Sequence, residues 1–294
     1  MQNVIEVERL THHYGKRTIY EDLSFSVPRG RIFGLLGKNG VGKTTLIKIL
    51  MGFMRPVSGR CKVFGEDSHE LSPATRARIG LLFEGHLAYE FMTIAQIEGF
   101  YATFYPQWDR HLFYDLVDKL GLEKKHVIRN MSCGQRSQVV LGLIFAQRPD
   151  LMILDDYSMG LDAGYRRLFL DYLREYVADN SKTVFITSHV VLDLEQLVDE
   201  VIFLERGGNI HQTSLSDFRS QFKHFQFRKY GNSLDLKRDH MIRNVETFGE
   251  RVSLYTFESR ESISAHLKSL GVNAELTRVE MNLEDAFVGF TGRY

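Results

Sequence analysis

Between two glycines the chain carries Gly37-Lys38-Asn39-Gly40-Val41-Gly42-Lys43-Thr44, the pattern G-x-x-x-x-G-K-T. Residues of these types at this spacing can hold a polyphosphate, because glycines let backbone N–H groups come close and a following helix adds positive potential at its N-terminus. In such a loop Lys43 reaches the β- and γ-phosphates and the Thr44 hydroxyl ligates Mg2+, with Thr45 next to it. The flanking text supports this chemistry. Ile32-Phe33-Gly34-Leu35-Leu36 reads as a buried strand entering the loop, and Thr44 to Met51, closed by Gly52, reads as a helix leaving it. A glycine-rich turn with a chance lysine would need neither.

A phosphate loop alone is compatible with kinases, GTPases and motor ATPases, so the second half of the chain decides. Met131-Ser132-Cys133-Gly134-Gln135 resembles the ABC signature peptide, which closes over the nucleotide held by the opposite subunit. Leu151-Met152-Ile153-Leu154-Asp155-Asp156 resembles the Walker B strand, Gly160-Leu161-Asp162 the D-loop, and Thr187-Ser188-His189 the switch histidine. Tyr14 looks like the aromatic that stacks on adenine. A P-loop kinase would leave Met131 to Gln135 and His189 without a role.

The resemblance to ABC ATP-binding cassettes covers about residues 4–212 and rests on the order and spacing of six motifs. It implies an α/β P-loop NTPase fold, an ABC-type cassette with a mixed sheet, an antiparallel β subdomain and a helical insert at about 85–140. Residues 213–294 would form a small α+β C-terminal domain, similar to that of exporter ATPases through Asn282-Leu283-Glu284-Asp285-Ala286-Phe287. The implied ligands are ATP and Mg2+. Thr44, Glu84 and Asp155 would hold the metal. Asp156 would be the base, with His189, Lys43 and Glu84 completing the catalytic set. Tyr14, the loop from Gly37 to Thr45, Ser132, Gly134, Gln135 and Asp162 would bind nucleotide across a pair of cassettes. The implied partners are a second cassette, identical or paralogous, and integral-membrane permease subunits, so that the chain sits on the inner face of the cell membrane. Nucleic acid is not expected. A soluble ABC ATPase acting on DNA or ribosomes is the alternative, but long heptad insertions or a second cassette would be its usual signs.

Three positions depart from the family pattern. Asp156 stands where glutamate is usual, keeping the carboxylate but shortening its reach, and a displacement of about 1 Å can cost roughly a hundredfold in rate. Glu84 stands in place of the Q-loop glutamine and adds negative charge beside the γ-phosphate. Cys133 replaces the first signature glycine.

Composition is that of a globular protein. The 294 residues carry 37 Lys plus Arg against 37 Asp plus Glu, so no global basic field draws the chain to nucleic acid or anionic lipid. Two cysteines give neither a disulfide framework nor a zinc spacing, which points to the cytosol. The longest apolar run, Val139 to Ala146, is far short of the roughly 20 residues that cross a bilayer. The start, Met1 to Leu10, has acidic residues where a secretory signal would be apolar. Helical periodicity runs from about Met92 to Val127, broken at Tyr105-Pro106. A domain boundary is expected near Arg206 to Ser220, followed by strands at 225–230, 252–257 and 274–279 and helices at 262–270 and 283–290. The basic residues Lys223, His224, Arg228, Lys229, Lys237 and Arg238 read as a solvated face.

Overall fold

Period-two alternation along Asn3–Tyr14 (β1) and Arg17–Pro28 (β2) sets Ile5 opposite Val27, Val7 opposite Phe25 and Leu10 opposite Leu23. All six are buried, so this hairpin has one apolar face and pairs antiparallel. The computed structural model describes residues 2–83, 89–158, 160–178, 181–188, 190–229 and 236–292. They fall into two compact units, Met1–Val190 with Leu197–Gln212, and Val191–Gln196 with Thr213–Tyr294.

In the first unit, β3 (Ile32–Leu36) is buried along its whole length and leads into α1 (Lys43–Leu50). Then follow β4 (Ser58–Val63), β5 (Glu66–Asp67), α2 (Pro73–Ala77) and β6 (Ile79–Leu82). The helical stretch consists of α3 (Ile94–Ala102), α4 (Arg110–Val117) and α5 (Cys133–Ala146). After it come β7 (Leu151–Leu154), α6 (Ala163–Val177) and β8 (Thr183–Ile186). The five-residue α7 (Val191–Glu195) belongs to the second unit, and β9 (Glu200–Leu204) and β10 (Ile210–Ser214) complete the main sheet.

That sheet has the order β10-β9-β3-β8-β7-β6, with β9, β3, β8, β7 and β6 paired in parallel. Strands covered on both faces are mostly apolar, and β3, β7 and β8 are buried along their whole length with Thr183 their one polar side chain. A second sheet, β2-β1-β4-β5, is antiparallel. Among the helices, Thr93 and Gln96 form a capping box at the start of α3, and Asp109 caps α4. Buried Glu98 of α3 accepts hydrogen bonds from Trp108 Nε1 at 2.8 Å and Arg110 Nε at 3.0 Å, tying the turn between the two helices to α3. Among the described residues no helix is long and apolar enough to cross a membrane.

The second unit adds α8 (Leu215–Gln221), β11 (Lys223–Arg228), β12 (Asn244–Phe248), β13 (Arg251–Thr256), α9 (Arg260–Ser269), β14 (Thr277–Val279) and α10 (Leu283–Thr291). Its sheet runs β12-β13-β11-β14, and one face packs Phe225, Phe227, Val252 and Leu254 on Ile263 and Leu267 of α9. Three expectations change here. The polar segment to Ser220 contains α8, capped by Ser214 and held by buried Leu215 and Phe218, an amphipathic pattern too short to stand out. The basic run is no single solvated face, because strand alternation splits it. His224 is buried and stacks on Tyr255 with ring centroids 4.5 Å apart, and Lys223 donates to the carbonyls of Phe257 and Glu258. Burial pulls the His224 imidazole below its usual pKa, against the opposing charge of Asp285. The strand expected over 274–279 is shortened to Thr277–Val279, since Leu276 turns into the core.

Candidate functional site

The loop between β3 and α1 depends on glycine at its last turn. Gly42 has φ 116°, and a Cβ there would lie 2.5 Å from both Ile19 Cγ2 and Tyr20 Oη, while the Tyr20 hydroxyl donates to the Gly42 carbonyl. Only glycine fits that conformation and that approach. The loop therefore stays wrapped at the start of α1, where unpaired N–H groups point outward. Lys43 folds back, its Nζ donating to the carbonyls of Gly37 at 2.6 Å and Lys38 at 3.3 Å. Burial pulls its ammonium below the usual lysine value, with the charges of Asp155 and Asp156 acting the other way.

A cavity of about 460 Å³ opens over this loop. Asn39, Gly40, Gly42, Lys43, Thr44 and Thr45 supply its floor. Asp155 and Asp156 enter from the end of β7, and Thr187 and Ser188 from the end of β8. From the β1–β2 hairpin come Tyr14, Arg17 and Ile19. Because β7 and β8 pair in parallel, their C-terminal ends deliver these side chains side by side. Tyr14 is 46% exposed, and its hydroxyl lies 3.4 Å from Thr45 Oγ1 and donates to Met54 Sδ at 3.2 Å.

Thr187 links the two carboxylate positions. Its hydroxyl donates to Asp155 Oδ1 at 2.8 Å and accepts from the backbone N–H of Asp156 at 2.9 Å. Asp156 Oδ1 in turn accepts from the Ser158 hydroxyl at 2.9 Å. Asp156 sits at φ 49°, a left-handed backbone conformation that Asp tolerates better than most residues and that is frequent at functional sites. Thr44 and Asp155 bring a hydroxyl and a carboxylate to the same cavity, a hard-oxygen set that suits Mg2+.

Other expected residues lie elsewhere. Gly37 and Lys38 serve through their carbonyls, and Val41 is buried in the core. Ser132, Gly134 and Gln135 contribute nothing to the cavity lining. They form the start of α5, where Ser132 and Gln135 make a capping box, Ser132 exposed and Gln135 half-buried. Gly134 is packed so closely that a Cβ would come within 2.8 Å of the Gly160 carbonyl, which sets the start of α5 against the loop before α6. Asp162 caps α6 by accepting from the Tyr165 N–H at 3.0 Å. Glu84 and His189 lie outside the described residues. The sequence reading passed over Arg17 and Ile19. Arg17 donates from Nη2 to the Gly40 carbonyl at 2.7 Å, and only its nearness to Tyr14 along the hairpin hinted at it.

The sequence profile of the ABC transporter family matches residues 20–158. The Nod factor export ATP-binding protein I of Bradyrhizobium diazoefficiens is 30% identical over 98% of this chain and 96% of its own length. The bacitracin transport ATP-binding protein BcrA of Enterococcus faecalis is 29% identical over 78% of this chain and 74% of its own. Among solved structures, a dimeric post-hydrolysis state of an ATP-binding cassette bound to ADP and Pi overlays with a TM-score of 0.61. It shares 18% identity and is covered over 98% of its chain by 72% of this one.

Proposed function

The chain belongs to the ATP-binding proteins of ABC transporters and is an ATPase of that family, and from that premise we propose how its own residues carry the activity. The observation that carries the reading is a single cavity that gathers the phosphate loop, Asp155 and Asp156, Thr187 and Ser188, and Tyr14. Lys43 and the loop N–H groups bind the phosphates, and Tyr14 offers its ring to the base. Thr44 and Asp155 would hold Mg2+, which when bound would supply charge neutralisation at the phosphates. Asp156, oriented through the Thr187 and Ser158 hydrogen bonds, aligns the attacking water and takes its proton. Lys43 and the loop donors then stabilise the charge on the departing phosphate oxygens.

Ser132, Gly134 and Gln135 do not line the cavity of their own chain, so their nucleotide contacts are made to a second cassette, identical or paralogous. Exposed Tyr89 and Phe91, whose ring centroids lie 6.2 Å apart, are suited to anchor a membrane-spanning permease, as aromatic interface residues commonly do. The name of the Nod factor relative points to export and that of the bacitracin relative to transport, with the chain held on the cytoplasmic face of the membrane through that permease.

Lys43→Ala tests the core of this reading. Removing the charge that meets the β- and γ-phosphates is expected to abolish ATP turnover and weaken nucleotide binding. Turnover near the wild-type rate in the purified variant would sink the assignment.

A further inference from the structure

The second unit has a cavity of its own, about 400 Å³, between the end of β11 and the segment that leads into β14. β14 pairs with β11 only as far as Gln226 opposite Thr277, so the sheet opens beyond that rung and leaves a cleft beside Arg228. Arg228 of β11 and Arg251 of β13 are direct cross-strand partners and both line the cleft. Residues opposite each other in an antiparallel pair have Cβ atoms about 5 Å apart, and like charges placed so are destabilising. Among the described residues neither guanidinium has a carboxylate oxygen within ion-pair distance. Gln226, Asn273 and Thr277 add amide and hydroxyl groups to the same walls. Next in the row, opposite Arg251 on β12, is Phe248, 84% exposed.

We propose that this cleft binds a phosphate monoester, with Arg228 and Arg251 as its two-pronged anion clamp. Two guanidiniums present more donors and more charge than one carboxylate can use, whereas a phosphate has about two negative charges and three oxygens to share between two forks. The cavity is larger than a bare phosphate and falls within the usual range for small organic ligands, so an organic body is accommodated. Gln226, Asn273 and Thr277 address polar groups on that body. Glu275, also in the wall, opposes the anion and weakens the site. The phosphate can come from a soluble metabolite or a phospholipid headgroup. The cleft lies wholly within the second unit and owes nothing to the nucleotide cavity.

The test is calorimetric titration of the full chain with glycerol 3-phosphate, the nucleotide cavity kept saturated with ADP. In a parallel arm the chain is floated with phosphatidylcholine vesicles with and without phosphatidic acid. Saturable binding is expected in at least one arm, weakened tenfold or more by R228Q or R251Q and strengthened several-fold by E275Q. ATP turnover is expected to be unchanged in all three variants. The arm that responds identifies the source of the phosphate. Binding in neither arm, or binding indifferent to both arginine substitutions while the variants remain folded by circular dichroism, overturns the proposal and leaves the nucleotide reading untouched.

Discussion

Thr187 is 1% exposed and makes two hydrogen bonds that hold the acidic pair, so Thr187→Val, nearly isosteric, removes both without opening a cavity. A hydrogen bond to a charged group contributes about 1.5–3 kcal/mol, and stranding a buried N–H costs about 1–3 kcal/mol. Together these reach about 2.5 kcal/mol even at the low end of each range. In stability, that corresponds to a fall in melting temperature of roughly 5–10 °C for a unit of this size. In turnover, the lost hydroxyl frees Asp155 and the backbone of Asp156 to shift. A shift approaching 1 Å costs about a hundredfold, or roughly 2.7 kcal/mol of barrier. Steady-state ATP hydrolysis with a nucleotide-binding titration separates the two effects. Turnover should fall about 10- to 100-fold with nucleotide affinity within a few-fold of wild type, and Thr187→Ser should recover most of the loss. A folded Thr187→Val chain that hydrolyses ATP at the wild-type rate would refute the idea that this hydroxyl positions the acidic pair.

Asp156→Asn suits the left-handed backbone at that position, so it removes the carboxylate and little else. Single-turnover hydrolysis should slow by about a hundredfold or more while ATP still binds, and an unchanged rate takes Asp156 out of the mechanism. Replacing Tyr89 and Phe91 together by alanine should loosen copurification with the permease from detergent extracts and leave ATP binding intact. An equally stable complex would move the docking surface elsewhere. His224 is held below its usual pKa by burial, so the unfolded chain binds its proton more readily than the folded one. Stability contributed there is full above pH 6.5 and declines as pH falls toward the lower folded value. Denaturant unfolding followed by circular dichroism at pH 7.5 and 5.5 should show a smaller pH effect in His224→Phe, and an equal one would assign the dependence to other groups.

Chemistry confined to neighbouring residues was legible in the linear chain. The phosphate loop needs only contiguous backbone and two side chains, and a strand and helix on either side of it announce themselves by apolar runs. The pairing of Asp155 with Asp156 at the end of β7 is local in the same way. What tertiary structure decided is which distant residues join them. Parallel registry of β7 with β8 brings Thr187 within 2.8 Å of Asp155, and the fold of the β1–β2 hairpin sets Arg17 against Gly40. Hydrogen bonds between strands depend on register, and register is fixed by which faces are buried, which no motif encodes. In the second unit the same cause worked against the sequence reading. A row of basic residues looked like one solvated face, but the two-residue pleat sent His224 under a tyrosine and left Arg228 facing Arg251 across the sheet.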